Sequence, residues 1–386
     1  MSNEFEKCID FDNLYRGMKA SCRGVRWKES VIRYENNGLK NTHNLKKDME
    51  AGKYQIQSYQ TFEIFEPKRR VIVATRIRDR QLQHSLVDNC VYRELTKSFI
   101  ADNCACQKGR GTDYCMNRMR KHLRQFYKEN GQSNDGYFLK CDIQNYFGSI
   151  DHEVISETLR KYIHDDQILN ELDRIINSFE GDAGLGLGSQ CNQLFALALL
   201  NGLDHFIKEK LRIRFYIRYM DDFILIHPSK EYLKECKKQI EDYLERLRLK
   251  LHKKKTIIQP IRHGIKLLKW RFILTDTGRT VVLMDRRKVA KQKRKITKLM
   301  EMEKTGRVEP GTCDNSMRCW MANAKRGDSF EERSKMSRFY VELTEGEKHI
   351  HDYVKFRGTH EQTRGDRLPG PDIPGHSLSK RGIPGQ

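Results

Sequence analysis

Three aspartates stand where elements end or turn, and their types and spacing suggest one chemistry. Tyr137-Phe138-Leu139-Lys140-Cys141-Asp142-Ile143 reads as a buried strand that ends at an acid. Residues 213–219 and 223–227 alternate like the arms of a tight hairpin, with Met220-Asp221-Asp222 at the turn. A carboxylate at the end of a buried strand is costly without a partner, and two acids at one turn repel each other unless a cation joins them. If the two strands are neighbours, Asp142, Asp221 and Asp222 converge as a two-magnesium phosphoryl-transfer site requires. One ion would activate a 3′-hydroxyl, and the other would hold a triphosphate and its departing pyrophosphate. Asp-Asp is also ordinary turn chemistry, which is the preferred reading of an isolated pair.

The elements that must position these acids follow from the rest of the chain. Its 386 residues allow two or three structural units, and 38% apolar residues suffice for a core. Residues 1–60 read as mostly helical. Residues 62–74 read as two short strands joined through Glu66-Pro67-Lys68, a hairpin with a basic tip. Helical patterns follow at 82–99, 115–126, 152–163, 167–176, 190–207 and 232–247, with a glycine-rich break at Gly184-Leu185-Gly186-Leu187-Gly188. Residues 264–273 and 280–283 read as strands, a strongly basic helix begins near Asp285, and residues 357–386 have the composition of a flexible tail.

Charge separates along this order. Lys and Arg exceed Asp and Glu by 73 to 52, a formal charge of +21, which favours a polyanionic partner, nucleic acid first. The excess concentrates at 61–80, 106–128 and 286–298, whereas residues 137–182 carry ten acids against four bases. That pattern suggests an anion-binding surface around a cation-binding centre, although solvated acidic helices would give the same count. No run of about 18 apolar residues exists, so no transmembrane helix is expected. The N-terminus carries charges where a signal peptide is apolar, so a cytoplasmic protein with reduced cysteines is expected.

Tyr219-Met220-Asp221-Asp222, with Phe215-Tyr216-Ile217-Arg218 before it and Phe223-Ile224-Leu225 after it, resembles the YxDD box of reverse transcriptases. The run from Leu139 to His152, LKCDIQNYFGSIDH, resembles the strand bearing that family's first catalytic aspartate. The likeness continues in order from about residue 62 to 340 and is nearest to bacterial enzymes of the diversity-generating retroelement, retron and phage-defence type, which are group II intron-like. It implies an α+β, right-hand polymerase fold of fingers, palm and thumb. The expected divisions are 1–136 for an N-terminal extension and fingers, 137–258 for the palm with an interleaved finger segment, 259–356 for primer grip and thumb, and 357–386 for the tail.

The resemblance also implies roles. Asp142 and Asp221 would bind both metal ions, Asp222 would complete the pocket, and the Ile143 carbonyl would be a further ligand; the ions would be Mg2+, with Mn2+ as a substitute. Phe147 falls where an aromatic ring excludes a 2′-hydroxyl; without the motif a core residue beside a strand end would be the preferred reading, and with it the gate is. Lys68, Arg69 and Arg70 match fingertip cations that hold the incoming triphosphate, and Gln193 matches a glutamine that touches the nucleotide. Lys255 matches a lysine that donates a proton to pyrophosphate, or it is simply the basic end of an amphipathic helix. Lys108-Gly109-Arg110-Gly111-Thr112 resembles a template-contact segment, and Gly264 to Trp270 (GIKLLKW) resembles the primer grip. The sequence departs from its relatives at Gly186, where proline is common, at Asn192, where serine is common, and at Lys269, where glycine is usual.

The expected activity is RNA-directed DNA polymerisation. Its partners would be an RNA template (a dedicated non-coding RNA), a primer–template duplex and deoxynucleoside triphosphates, with no membrane. An RNA-dependent RNA polymerase is the nearest enzymatic rival, and Phe147 argues against it. The alternative from another class is an RNA-binding, maturase-like or catalytically degenerate protein of the same fold. Such a protein would keep RNA affinity without metal-dependent incorporation.

Overall fold

A computed structural model describes residues 4–65 and 69–344, and these divide into two compact units at Met284/Asp285. Lys68 and the whole of 357–386 therefore lie outside the described residues.

The first unit is built around a four-stranded antiparallel sheet in the order β4-β5-β3-β6. Its strands are β3 (Tyr137–Asp142), β4 (Phe215–Tyr219), β5 (Asp222–His227) and β6 (Ile257–Pro260). Two smaller sheets flank it in sequence. β1 (Gln60–Ile64) and β2 (Arg70–Ala74) form the basic hairpin, and β7 (Ile265–Leu267), β8 (Trp270–Leu274) and β9 (Thr280–Met284) form a meander.

β4 and β5 are buried along almost their whole length, so their sequences, FYIRY and DFILIH, are near-continuous apolar runs. Helix Lys230–Arg246 packs on β3 and β5 with Leu233, Cys236, Ile240 and Leu244, the three- and four-residue spacing of one helical stripe. Ser229 starts that helix by accepting the Tyr232 N–H at 3.1 Å. Helix Thr112–Glu129 covers β4, with Phe126 edge-on to Phe215 at 5.8 Å. Helix Gln190–Leu199 is apolar on nearly every side and accordingly lies in the core.

The N-terminal residues are helical as expected, with helices Glu4–Ile9, Phe11–Cys22, Glu29–Asn36 and Gly38–Glu50. The second of these lies against helix Ile77–Leu86. A side chain at Gly17 would come within 2.5 Å of the Gln81 carbonyl, so only glycine allows this approach. The buried Gln81 amide ties the layer together, donating to Leu14 O at 3.1 Å and Thr42 Oγ1 at 2.9 Å.

Two expectations need correction. The stretch 264–273 is not one strand: a two-residue turn at Leu268-Lys269 folds it into β7 and β8, with Leu267 opposite Trp270. Both turn residues are left-handed, at φ +50° and +68°, so the backbone here is one that glycine would take more easily. Lys269, where the resemblance leads to an expectation of glycine, is the second of these residues. The second correction is β6, which the sequence did not suggest and which pairs with β3.

Among the described residues, the second unit holds three helices, Arg286–Lys304, Thr312–Ala324 and Phe330–Thr344, around a small core of Ile296, Cys313, Met317, Met336 and Tyr340. Asp285 caps the basic helix by accepting the Arg287 N–H at 3.0 Å, consistent with the expected helix start. No helix among the described residues is long and apolar enough to cross a membrane.

Candidate active site

The pairing of β3 with β5 brings the aspartates to one end of the sheet. Asp142 and Asp222 are direct cross-strand partners, so their side chains share a face. Asp221 is one residue away in the turn, and its carbonyl accepts the Ile143 N–H at 3.3 Å. Met220 opens that turn at φ +58°, a left-handed position where II′-type turns place glycine. A methionine held there costs about 1–3 kcal/mol and persists only where its surroundings enforce it.

Two lysines stand on the carboxylates. Lys255 Nζ lies 2.7 Å from Asp142 Oδ1, and Lys140 Nζ lies 2.8 Å from Asp222 Oδ2. Lys255 arrives there because the segment before it runs beside β3: Gln144 N–H donates to Lys250 O, and His252 N–H donates to Asp142 O. Lys140 also donates to Lys266 O at 2.9 Å, linking the candidate primer-grip strand to the acids. The sequence analysis did not single out Lys140. The signal was its position two residues before Asp142 on a strand, hence on the same face.

The expected three-carboxylate metal cage is not closed. Among the described residues, no three His, Cys, Asp or Glu side chains group closely enough to hold an ion. Lys255 and Lys140 each pair with one of the carboxylates. Yet the donors suit a cation. Asp222 Oδ1 is buried without a hydrogen-bond partner. Burial, opposed by Lys140 and reinforced by the charges of Asp221 and Asp142, pushes the Asp222 carboxyl up to about 6. A hard divalent ion is the partner that oxygen-only ligands with surplus negative charge accept best.

Phe147 lies half-buried on the short helical turn Tyr146–Ser149 just after the strand, edge-on to Tyr146 at 5.7 Å. The glycine-rich break docks against this turn, Leu185 N–H donating to Phe147 O and Gly184 N–H to Ile150 O, both at 2.8 Å. The break also meets β2. A side chain at Gly186 would approach Val73 Cβ to 3.0 Å and the Phe179 ring to 2.5 Å. The buried Asn192 amide then holds the Gly186 carbonyl at 2.8 Å. Gly186 and Asn192, the two positions where the sequence is expected to differ from the pattern it resembles, are thus partners in one packed contact. Gln193 follows in the first turn of helix Gln190–Leu199, partly accessible, so the turn bearing Phe147, the glycine-rich break and the basic hairpin form one connected region.

At the hairpin tip, Arg69 is bound to Glu63 through Nε at 3.0 Å and Nη2 at 2.5 Å. Arg70 is exposed at the first position of β2. Of the candidate template segment, Arg110 turns inward to the carbonyls of Ile100 and Asn103 at 2.7 and 3.0 Å, and Gly109 takes the left-handed φ of +73°.

The reverse transcriptase (RNA-dependent DNA polymerase) family matches residues 57–272, more than half of the chain and the whole of the region just described. The α+β architecture is that of a polymerase fold, and the chain belongs to the reverse transcriptase family. Among solved structures, the apo telomerase from Candida tropicalis matches with a TM-score of 0.47 and 13% identity, covering 62% of this chain and 52% of that one. The telomerase from Candida albicans in complex with a TWJ fragment of telomeric RNA matches with a TM-score of 0.47 and 11% identity, covering 81% of this chain and 66% of that one. This chain therefore spans about half the length of the first of these relatives. No curated protein matches the sequence.

Proposed function

We propose that the protein is an RNA-directed DNA polymerase that makes cDNA on an RNA template by two-metal-ion nucleotidyl transfer. The observation that carries this reading is the cross-strand placement of Asp142 and Asp222 beside the Asp221 turn, inside the segment that the family matches. Asp142, Asp221 and the Ile143 carbonyl would hold the ions, taken to be Mg2+ with Mn2+ as a substitute, and Asp222 would complete the pocket. Bound divalent ions would supply the Lewis acidity that activates a primer 3′-hydroxyl and neutralises the triphosphate.

The chain's own residues do the rest. Lys255 and Lys140 hold the carboxylates before substrate arrives, and Lys255, half exposed on Asp142, is free to move to pyrophosphate as its proton donor. Phe147 beneath the sugar would exclude a 2′-hydroxyl, and Gln193 would contact the nucleotide. Lys68, Arg69 and Arg70 would bind the triphosphate. Of these, Arg70 is exposed, Arg69 must exchange Glu63 for phosphate, and Lys68 lies outside the described residues.

In this reading residues 1–136 supply the extension and fingers, 137–258 the palm, and 259–356 the primer grip and basic thumb. Their surplus of Lys and Arg would neutralise template and duplex phosphates. The partners would be a dedicated non-coding RNA, a primer–template duplex and deoxynucleoside triphosphates, in the cytoplasm of a cell that carries a bacterial retroelement or an antiphage defence system. The test is primer extension on RNA with deoxynucleotides or ribonucleotides, with and without Mg2+. The reading predicts Mg2+-dependent deoxynucleotide incorporation, whereas RNA binding without incorporation would favour a maturase-like binder.

A further inference from the structure

Arg218 is fully buried, and it is the one charged residue in the otherwise apolar strand β4. A guanidinium in such a place needs every donor matched, and here the partners are specific. Nε and Nη2 form a two-pronged pair with the equally buried Asp204, at 2.7 and 2.5 Å. Nη2 also donates to Leu197 O at 3.3 Å. Asp204 is held in turn by the Tyr216 hydroxyl at 2.7 Å, from the same face of β4. The remaining arm, Nη1, donates to the Met220 carbonyl at 3.2 Å.

That last contact falls on the left-handed residue that begins the aspartate turn. The Arg218 main chain is fixed as well. It sits opposite Phe223 of β5 on one side, and on the other its N–H donates to Asp102 O while its carbonyl accepts from Cys104 N, both at 2.9 Å. A guanidinium locked by a fork cannot swing, so its outermost N–H becomes a fixed reference point. A carbonyl bonded to that point keeps the strained turn from relaxing.

We propose that Arg218 is a positioning residue for the reaction. Clamped by Asp204, it holds the Met220 carbonyl and thereby fixes the turn that presents Asp221 and Asp222. This rests on the assignment above of those aspartates to metal binding. The alternative is a buried ion pair that only fills the core, and the two roles separate experimentally because apolar residues can replace a buried pair without loss of stability.

The test uses the full chain as Arg218→Lys and as the double variant Arg218→Met with Asp204→Leu. Four quantities are measured: melting temperature, Mn2+ affinity by electron paramagnetic resonance, primer–template affinity, and turnover. Lysine keeps the charge and loses the fork. It should leave primer–template affinity within about twofold while weakening Mn2+ binding and lowering turnover by roughly 10–100-fold, the range expected for a residue behind a metal ligand. The double variant should regain the native melting temperature yet keep the same deficits. Native Mn2+ affinity and turnover in either folded variant would overturn the proposal. So would an Arg218→Lys deficit that falls equally on primer–template affinity. If the double variant does not reach the native melting temperature, Arg218→Lys decides alone by the same criteria. Should the unmodified protein neither bind Mn2+ nor incorporate nucleotide, the functional reading itself fails, which is a different outcome from a competent variant.

Discussion

Two pairs of acids in the same unit are treated in opposite ways. Asp102 and Asp204 are saturated. Asp102 receives Arg118 at 2.6 Å, His122 at 2.7 Å and Lys208 at 3.2 Å, and Asp204 receives Arg218 and Tyr216. Asp142 and Asp222 have one lysine each, and one buried oxygen of Asp222 has no hydrogen-bond partner. Electrostatics registers the difference. Burial alone would raise the Asp102 carboxyl, but His122 and Arg118 hold it well below the usual carboxylate range. The Asp222 carboxyl goes the other way, up to about 6. The saturated acids are given fixed partners, whereas the acids proposed to bind metal are left with capacity to spare.

The sharpest way to break that contrast is to neutralise one acid of each kind. Asp142→Asn should lower Mg2+-dependent incorporation by about a thousandfold or more, since several kcal/mol of charge stabilisation vanish at about 1.4 kcal/mol per factor of ten. Its melting temperature should stay close to native. Asp102→Asn should do the reverse, destabilising the fold by about 3–5 kcal/mol in denaturant unfolding at neutral pH because the half-buried cations Arg118 and Lys208 and the buried His122 ring lose their carboxylate partner. The native Asp102 carboxyl is depressed, so its contribution is present above the unfolded-state value of about 4 and fades as pH falls toward the lower folded-state value. The gap between native and Asp102→Asn proteins should therefore close only in acid.

Smaller effects sharpen the same comparison. Phe147→Ala should raise ribonucleotide use relative to deoxynucleotide by about 10–100-fold in kcat/KM, the scale on which shape alone discriminates. Retention of full discrimination would return Phe147 to a packing role. Asp222→Asn should give the smallest change, read by melting curves without metal. A carboxyl at about 6 in the native chain and near 3.8 when unfolded costs native stability as pH rises through that interval. The unmodified protein should lose about 2–2.5 kcal/mol between about pH 4 and about pH 7 through this group, and the asparagine variant should not.

Much of this was legible in the sequence. Asp142 and the Met220-Asp221-Asp222 turn stand out because strand alternation and turn position are local signals, and the observed β3, β4 and β5 fall within one or two residues of the expected bounds. The same holds for the helix that Asp285 begins. What escaped depends on partners distant in sequence. β6 is a four-residue edge strand ending in Pro260, tolerable at an edge because proline there has no ladder bond to give, and only its pairing with β3 defines it. The turn at Leu268-Lys269 has no glycine to announce it. Lys140 and Lys255 reach their carboxylates across 82 and 113 residues. Arg218 carried a visible signal, a charge in an apolar strand, but its meaning waited on Asp204 in a neighbouring helix.

The central claim is that Asp142, Asp221 and Asp222 together bind the ions of RNA-templated DNA synthesis. It is tested most directly by single-turnover deoxynucleotide addition to a primer on RNA, comparing the unmodified protein with Asp221→Ala at matched primer–template occupancy over a Mg2+ titration. Saturable Mg2+-dependent addition by the unmodified protein, with none by Asp221→Ala despite equal binding, is the predicted result. Equal addition by both proteins, or addition that ignores Mg2+, would contradict it.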